Sequence, residues 1–323
     1  MLPEFATPAV LAALSAPAAR AHQIVQYAIM LGASACFIGT FLLGLWNSRR
    51  AASSSGDASK LGSPAVACAT AGGLLAAGLL AWRLFLPPEP SPPLGNHMDS
   101  FLLLGLLLTA MVAYFRLTRH LRGLGFFLLP IVALVLLMGP LLMLLQPQPF
   151  NYTSAWGNVH VLSILLGSVS LAAGCAGGIV YLLADRQLRR KVFEGNRRRL
   201  VLPSLAAMEK FNQTAILVGF PLLTVAMITG FLWASRIRSE EPGGIWPLAP
   251  KIVLAVIAWF VYALVVHVRF APSFRGKRAA WLSIIGFVLL LGVYVTVSQW
   301  PKSTAVPPNP PSSATSSVRS VSS

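Results

Sequence analysis

The stretch WGNVHVLSILLGSVSLAAGCAGGIVYLLA, residues 156–184, runs 29 positions without an Asp, Glu, Lys or Arg. A helix rises about 1.5 Å per residue, so roughly 20 apolar residues cross a hydrocarbon core about 30 Å thick. Lipid offers no partner to backbone N–H and C=O groups, and a helix satisfies them within itself. This stretch therefore reads as a membrane helix with length to spare. Seven others of the same kind lie near 24–46, 64–86, 100–117, 124–146, 214–235, 251–270 and 281–300. The fold class that follows is all-α, a polytopic transmembrane helical bundle of about eight spans. Composition agrees: 56% of the residues are apolar and 11% charged, against roughly 45–50% and 25% in a soluble chain. Within the opening stretch, Gly157, Gly167, Gly174, Gly177 and Gly178 alternate with Ser163, Ser168 and Ser170. Small residues let helices approach closely, which predicts a central place for this span.

A formal charge of +16 raises the question of a nucleic-acid partner, and the placement of the charge answers it. With both termini on the non-cytoplasmic side, the cytoplasmic loops hold Arg49, Arg50 and Lys60; then Arg116, Arg119 and Arg122; then the eight from Arg186 to Lys210; then Arg269, Arg275, Lys277 and Arg278. That is 18 of the 25 basic residues, and such a bias sets membrane orientation. No nucleic-acid partner is implied. The expected location is the cell inner (plasma) membrane, with the lipid bilayer as the solvent of the fold.

Three segments between spans are informative. Pro87–Asp99, with five prolines, reads as an external loop. In Asp185–Gln213, the residues Leu205, Met208 and Phe211 recur every third position after Pro203. That spacing predicts an interfacial helix on the inner leaflet. Ser235–Pro250 is an external loop with Gly243, Gly244 and Trp246. Residues 1–63 form a lead-in, the first span and a cytoplasmic loop; 64–300 form the main membrane domain; 301–323, rich in Ser and Pro, reads as a disordered tail. The start of the chain reads as a short external lead-in and not a cleaved signal, since Pro3 and Glu4 stand where basic residues are needed. Cys36, Cys68 and Cys175 fall inside spans without CxxC spacing and read as small packing residues.

Ionisable residues deep in a span are expensive and so point to function. No carboxylate lies at mid-span, which weakens an ion-coupled transporter, and no GxSxG, HExxH or P-loop is present. Histidine and tryptophan remain. His160 lies one turn into the fifth span, just after Trp156, at its outer end, well placed to bind a metal. His267 lies sixteen residues into the seventh span, about 24 Å lower, so these two cannot share one iron. His97, ahead of the third span, is at the outer level of His160. A bis-histidine haem site on the outer face would pair His97 with His160.

Trp156–His160 at the head of a span, a basic inner loop, Leu202–Leu205, an external Trp loop, and a helix ending in Trp259, Tyr262, His267 and Arg269 resemble the cytochrome c assembly family, the haem-handling membrane proteins of CcsA and CcmC type. Pro93, Leu94, Asn96, Asp99 and Ser100 resemble that family's entry to a span, and Gly276, Arg278, Ala280, Gly286 and Phe287 its last helix. The similarity covers roughly 64–300. It implies haem as cofactor, with His160, His97 and His267 as candidate ligands and Trp246, Trp156 and Lys251 as lining. The family's loop is tryptophan-rich and ends Trp-Asp-Pro-Lys. Here Gly243, Trp246, Pro250 and Lys251 keep the pattern, whereas Ile245, Pro247, Leu248, Ala249 and Ile252 depart from it. No histidine follows the last span, and none stands in the second. The resemblance implies haem binding or handling at the outer face during cytochrome c maturation. Its implied partners are haem, other cytochrome c assembly subunits and apocytochrome c, without independent catalytic activity. Two further readings stay open: a divergent subunit that scaffolds a synthase or haem-export complex or regulates haem synthesis, and a small-solute transporter.

Overall fold

A computed structural model describes residues 8–51, 63–85, 97–118, 122–145, 155–191, 204–240, 250–268 and 276–299. Eight helices follow one another: α1 (Pro8–Ala51), α2 (Ser63–Phe85), α3 (His97–Leu117), α4 (Arg122–Leu145), α5 (Ala155–Lys191), α6 (Leu205–Glu240), α7 (Pro250–Val268) and α8 (Lys277–Gln299). No strand occurs among the described residues. Seven of the helices are long and apolar enough to cross a membrane; in α7 the apolar stretch counted is the shorter 252–264. Over its 19 residues α7 still rises about 28 Å, close to the hydrocarbon thickness. Trp246 and the tail 301–323 lie outside the described residues, as does most of the proline-rich segment before α3.

The helices form two groups. In the first, α1 packs against α2 and α4, and α3 against α4; in the second, α5 packs against α6 and α8, and α7 against α8 and α6. The groups meet through α5, which also touches α3 and α4. Its central place is the one its small residues predict. Met30, Phe37, Phe101, Leu108, Phe115 and Leu136 fill the first group, and Tyr262 is fully buried in the second. The hydroxyl of Ser34 on α1 donates to the carbonyl of Ala133 on α4 at 2.8 Å. It joins two helices 99 residues apart in sequence.

Two expectations change. The interfacial helix after Pro203 is instead the first turns of a continuous α6, started by Ser204, whose hydroxyl accepts from the Ala207 N–H at 3.3 Å. Met208 is fully buried, and Phe211 meets Phe115 edge to face at 5.3 Å. Burial against protein holds the segment in line with the span. Asp99, read as the last loop residue, lies in the first turn of α3 and is buried.

Close approach of α5 to α8 depends on Gly178. A Cβ there would stand 2.6 Å from Ser283 Oγ and 2.8 Å from the Ala280 carbonyl oxygen. The hydroxyl can turn, but the carbonyl belongs to a helix backbone and cannot. Gly178→Ala is expected to lower stability by about 1–3 kcal/mol, measured as a lower melting temperature in detergent. A variant as stable as wild type would show that the two helices separate freely.

Candidate functional site

The seam between α5 and α6 has a seven-residue register. Gly174 faces Asn212, Gly167 faces the Gly219 carbonyl, and His160 meets the Ala226 carbonyl. Each step of seven up α5 is matched by seven down α6, as in antiparallel knobs-into-holes packing. His160 thus occupies the seam position that glycine fills at 167 and 174. Space for the ring comes from α6, where Ala226 and Gly230 lie one turn apart. A Cβ on Gly230 would stand 2.7 Å from His160 Cε1 and Nδ1.

The ring's Nδ1 lies 2.6 Å from the Ala226 carbonyl oxygen. A carbonyl can only accept, so Nδ1 carries the proton and Nε2 keeps the lone pair of a neutral imidazole. Trp233, one turn further along α6, lies over the same region, its ring centroid 6.2 Å from that of His160 at an interplanar angle of 30°. Trp156 sits exposed on the first turn of α5, four residues before His160 and on the same face. A half-buried imidazole, an indole beside it and a second on the preceding turn form a wall that would suit a flat apolar ring carrying a metal.

The remaining candidates fall as follows. His97 is the first residue of α3 and Lys251 lies in the first turn of α7; their side chains, and the whole of Trp246, lie outside the described residues. His267 is exposed near the end of α7. Tyr262 of α7 abuts Gly286 of α8, and Ala280 of α8 abuts Gly178 of α5. That register puts His267 level with about residue 177 of α5, about 26 Å from His160 along the bundle. The two histidines occupy opposite ends.

Sequence reasoning passed over two features at the His160 end. Trp233 and Gly230 were indistinguishable from other interfacial and small residues until α6 was set against α5. The second feature is a buried polar knot. The Arg83 guanidinium of α2 donates to the Asp99 carboxylate of α3 and to the Gln26 amide oxygen of α1. The Arg83 and Asp99 side chains are 12% and 6% exposed. Phe101, half a turn on from Asp99, meets Tyr294 of α8 at a tilt, ring centroids 5.1 Å apart, and the Tyr294 hydroxyl is 3.2 Å from Ser168 Oγ of α5. The knot therefore sits at the same end of the bundle as His160.

A family model described as cytochrome c assembly protein matches residues 94–304. A cytochrome c biogenesis protein CcsA of Heterosigma akashiwo is 26% identical over 244 residues, covering 64% of this chain and 73% of that protein. CcsA of Guillardia theta is 28% identical over 229 residues with the same coverage, 64% and 73%. CcsA of Parasynechococcus marenigrum is 28% identical over 164 residues, covering 45% and 52%. No solved structure matches.

Proposed function

The chain belongs to the cytochrome c assembly family, and from that premise we propose that it holds haem at the His160 end of the bundle, on the outer membrane face, and passes it on during cytochrome c maturation. The observation that carries this reading is the hydrogen bond from His160 Nδ1 to the Ala226 carbonyl. Histidines that ligate metals almost always donate the other ring N–H to a carbonyl or carboxylate, which fixes tautomer and orientation and raises the basicity of the ligating nitrogen. His160 is built that way by a helix backbone, a more rigid partner than a side chain.

In this reading His160 and His97 would hold the haem iron. Trp156, Trp233 and Trp246 wall the porphyrin, and Lys251 answers a propionate. The iron of haem brings its own redox chemistry; the chain binds, orients and excludes water from it and moves no proton. His267, at the other end, would hold haem on entry from the inner side. Apocytochrome c and other assembly subunits are the partners that receive the cargo. The positive-inside distribution of basic residues supports an outer position for His160 in the plasma membrane.

The test is the absorption spectrum of detergent-purified protein expressed with excess haem. Wild type is expected to show a Soret band that His160→Ala removes and His97→Ala shifts or weakens. His267→Ala is expected to leave the outer-site band in place. No Soret band in wild type, or an unchanged one in His160→Ala, would overturn the proposal. Loss in His267→Ala alone would move the site to the inner leaflet.

A further inference from the structure

Cys36 of α1 and Cys68 of α2, 32 residues apart in sequence, face each other across an antiparallel crossing from which side-chain bulk is missing. A Cβ on Gly39 would stand 3.6 Å from Cys68 Sγ, and a Cβ on Gly72 would stand 3.0 Å from Cys36 Cβ. Each cysteine thus lies against a glycine of the other helix, one turn removed from the other cysteine, and the two thiols are within direct reach of each other. Both are half-buried free cysteines, whereas Cys175 of α5 is buried. Packing alone does not explain the pair. Alanine would fill the same space, and Ala33, Ala65, Ala69 and Ala76 do so along the same two helices.

We propose that Cys36 and Cys68 form a redox-active dithiol that closes to a disulfide, with a membrane-dissolved quinone as the two-electron acceptor. Disulfides need Cα atoms about 4.4–6.8 Å apart. The two glycines keep the crossing clear of side chains, and closure needs α2 to shift along α1 by up to the one turn, about 5 Å, that separates the two cysteines. The thiols lie inside their spans and are partly exposed, a depth that a lipid-soluble oxidant reaches and a water-soluble one does not. Two S–H bonds break and one S–S bond forms; both protons and both electrons pass to the quinone, which leaves as quinol. The disulfide covalently joins α1 to α2, the pair whose far ends hold Gln26 and Arg83 of the buried knot.

The experiment uses full-length protein in lipid nanodiscs with decylubiquinone as the probe, followed by denaturation and maleimide labelling. Untreated protein is expected to label at all three cysteines. After quinone treatment it should label at Cys175 only, yield a Cys36–Cys68 cross-linked peptide by mass spectrometry, and produce one quinol per chain. Dithiothreitol should restore full labelling. Cys36→Ser and Cys68→Ser should neither reduce quinone nor lose label at the remaining cysteines, while Cys175→Ser behaves as wild type. Full labelling after quinone treatment overturns the proposal, as does a quinone adduct in place of the disulfide, or quinone reduction that survives both single Ser variants. The wild-type peptide mass reads the bond even where a Ser variant fails to fold. No part of the assay depends on haem, so its outcome is separable from that of the His160 spectra.

Discussion

Asp99→Leu is expected to destabilise the protein by about 3–5 kcal/mol, the cost of leaving a buried charge without its partner. The carboxylate is 6% exposed and faces an Arg83 side chain that is 12% exposed, so neither group is screened as a surface pair would be. Removing the acid takes the carboxylate away from a guanidinium that also contacts the Gln26 oxygen and the Met98 sulfur, the latter at 3.9 Å. An ammonium or guanidinium near a helix end has an escape by extending to the headgroups. Arg83 lies two residues from the end of α2, and a complete escape would reduce the loss to the ~1 kcal/mol of an exposed pair. The inward geometry, held from α1 and α3 at once, argues for the larger figure.

The companion variants separate these outcomes. Arg83→Met combined with Asp99→Leu replaces the pair by apolar groups of similar length, and such replacements are often neutral or stabilising. The double variant should therefore melt near wild type and well above Asp99→Leu. Thermal unfolding in detergent across the four proteins gives the coupling directly. If the double variant is as unstable as the sum of the singles, the pair is not the unit described here.

The same residues show where the sequence could be read and where it could not. Span positions were legible because each depends only on a local run of apolar residues and on the inability of lipid to satisfy a bare backbone. Central placement of α5 was legible from its glycines and serines. The Arg83–Asp99 contact was not, since a proline-rich segment separates the two residues, Arg83 was one of the seven basic residues outside the cytoplasmic loops and Asp99 fitted a simpler reading as loop. The break after Pro203 was misread because Lys210, Asn212 and Gln213 interrupt the apolar run. Helix continuity depends on the backbone and on Met208 and Phe211 finding partners in other helices. His160 was identifiable as a residue of interest, but its orientation was not. Orientation rests on Ala226 and Gly230, 66 and 70 positions away, and nothing local in α5 names α6 as the neighbour or sets the register.

Gly230→Ala isolates that orientation from everything else His160 does. Alanine is better than glycine in a helix interior by about 0.5–1 kcal/mol, and the half-buried ring beside it can swing toward the membrane. Overall stability should therefore stay within about 1 kcal/mol of wild type, the helix gain offsetting the local crowding. The added methyl, 2.7 Å from Cε1 and Nδ1, forces the ring off the Ala226 carbonyl. Its proton is then no longer held on Nδ1, and the lone pair on Nε2 is no longer aimed. Losing an orienting partner of this kind typically weakens a metal site 10–100-fold. Haem affinity of the purified protein, titrated by the Soret band, is thus expected to fall by that factor while the melting temperature barely moves. Gly167→Ala is the matched control, one heptad along the same seam, where the new methyl would lie at an ordinary 3.4 Å from Leu222 Cβ and no imidazole is displaced. Wild-type haem affinity in Gly230→Ala would mean that the Ala226 contact does not prepare His160 for iron. An equal loss in Gly167→Ala would mean that the whole seam, and not one ring, sets the affinity.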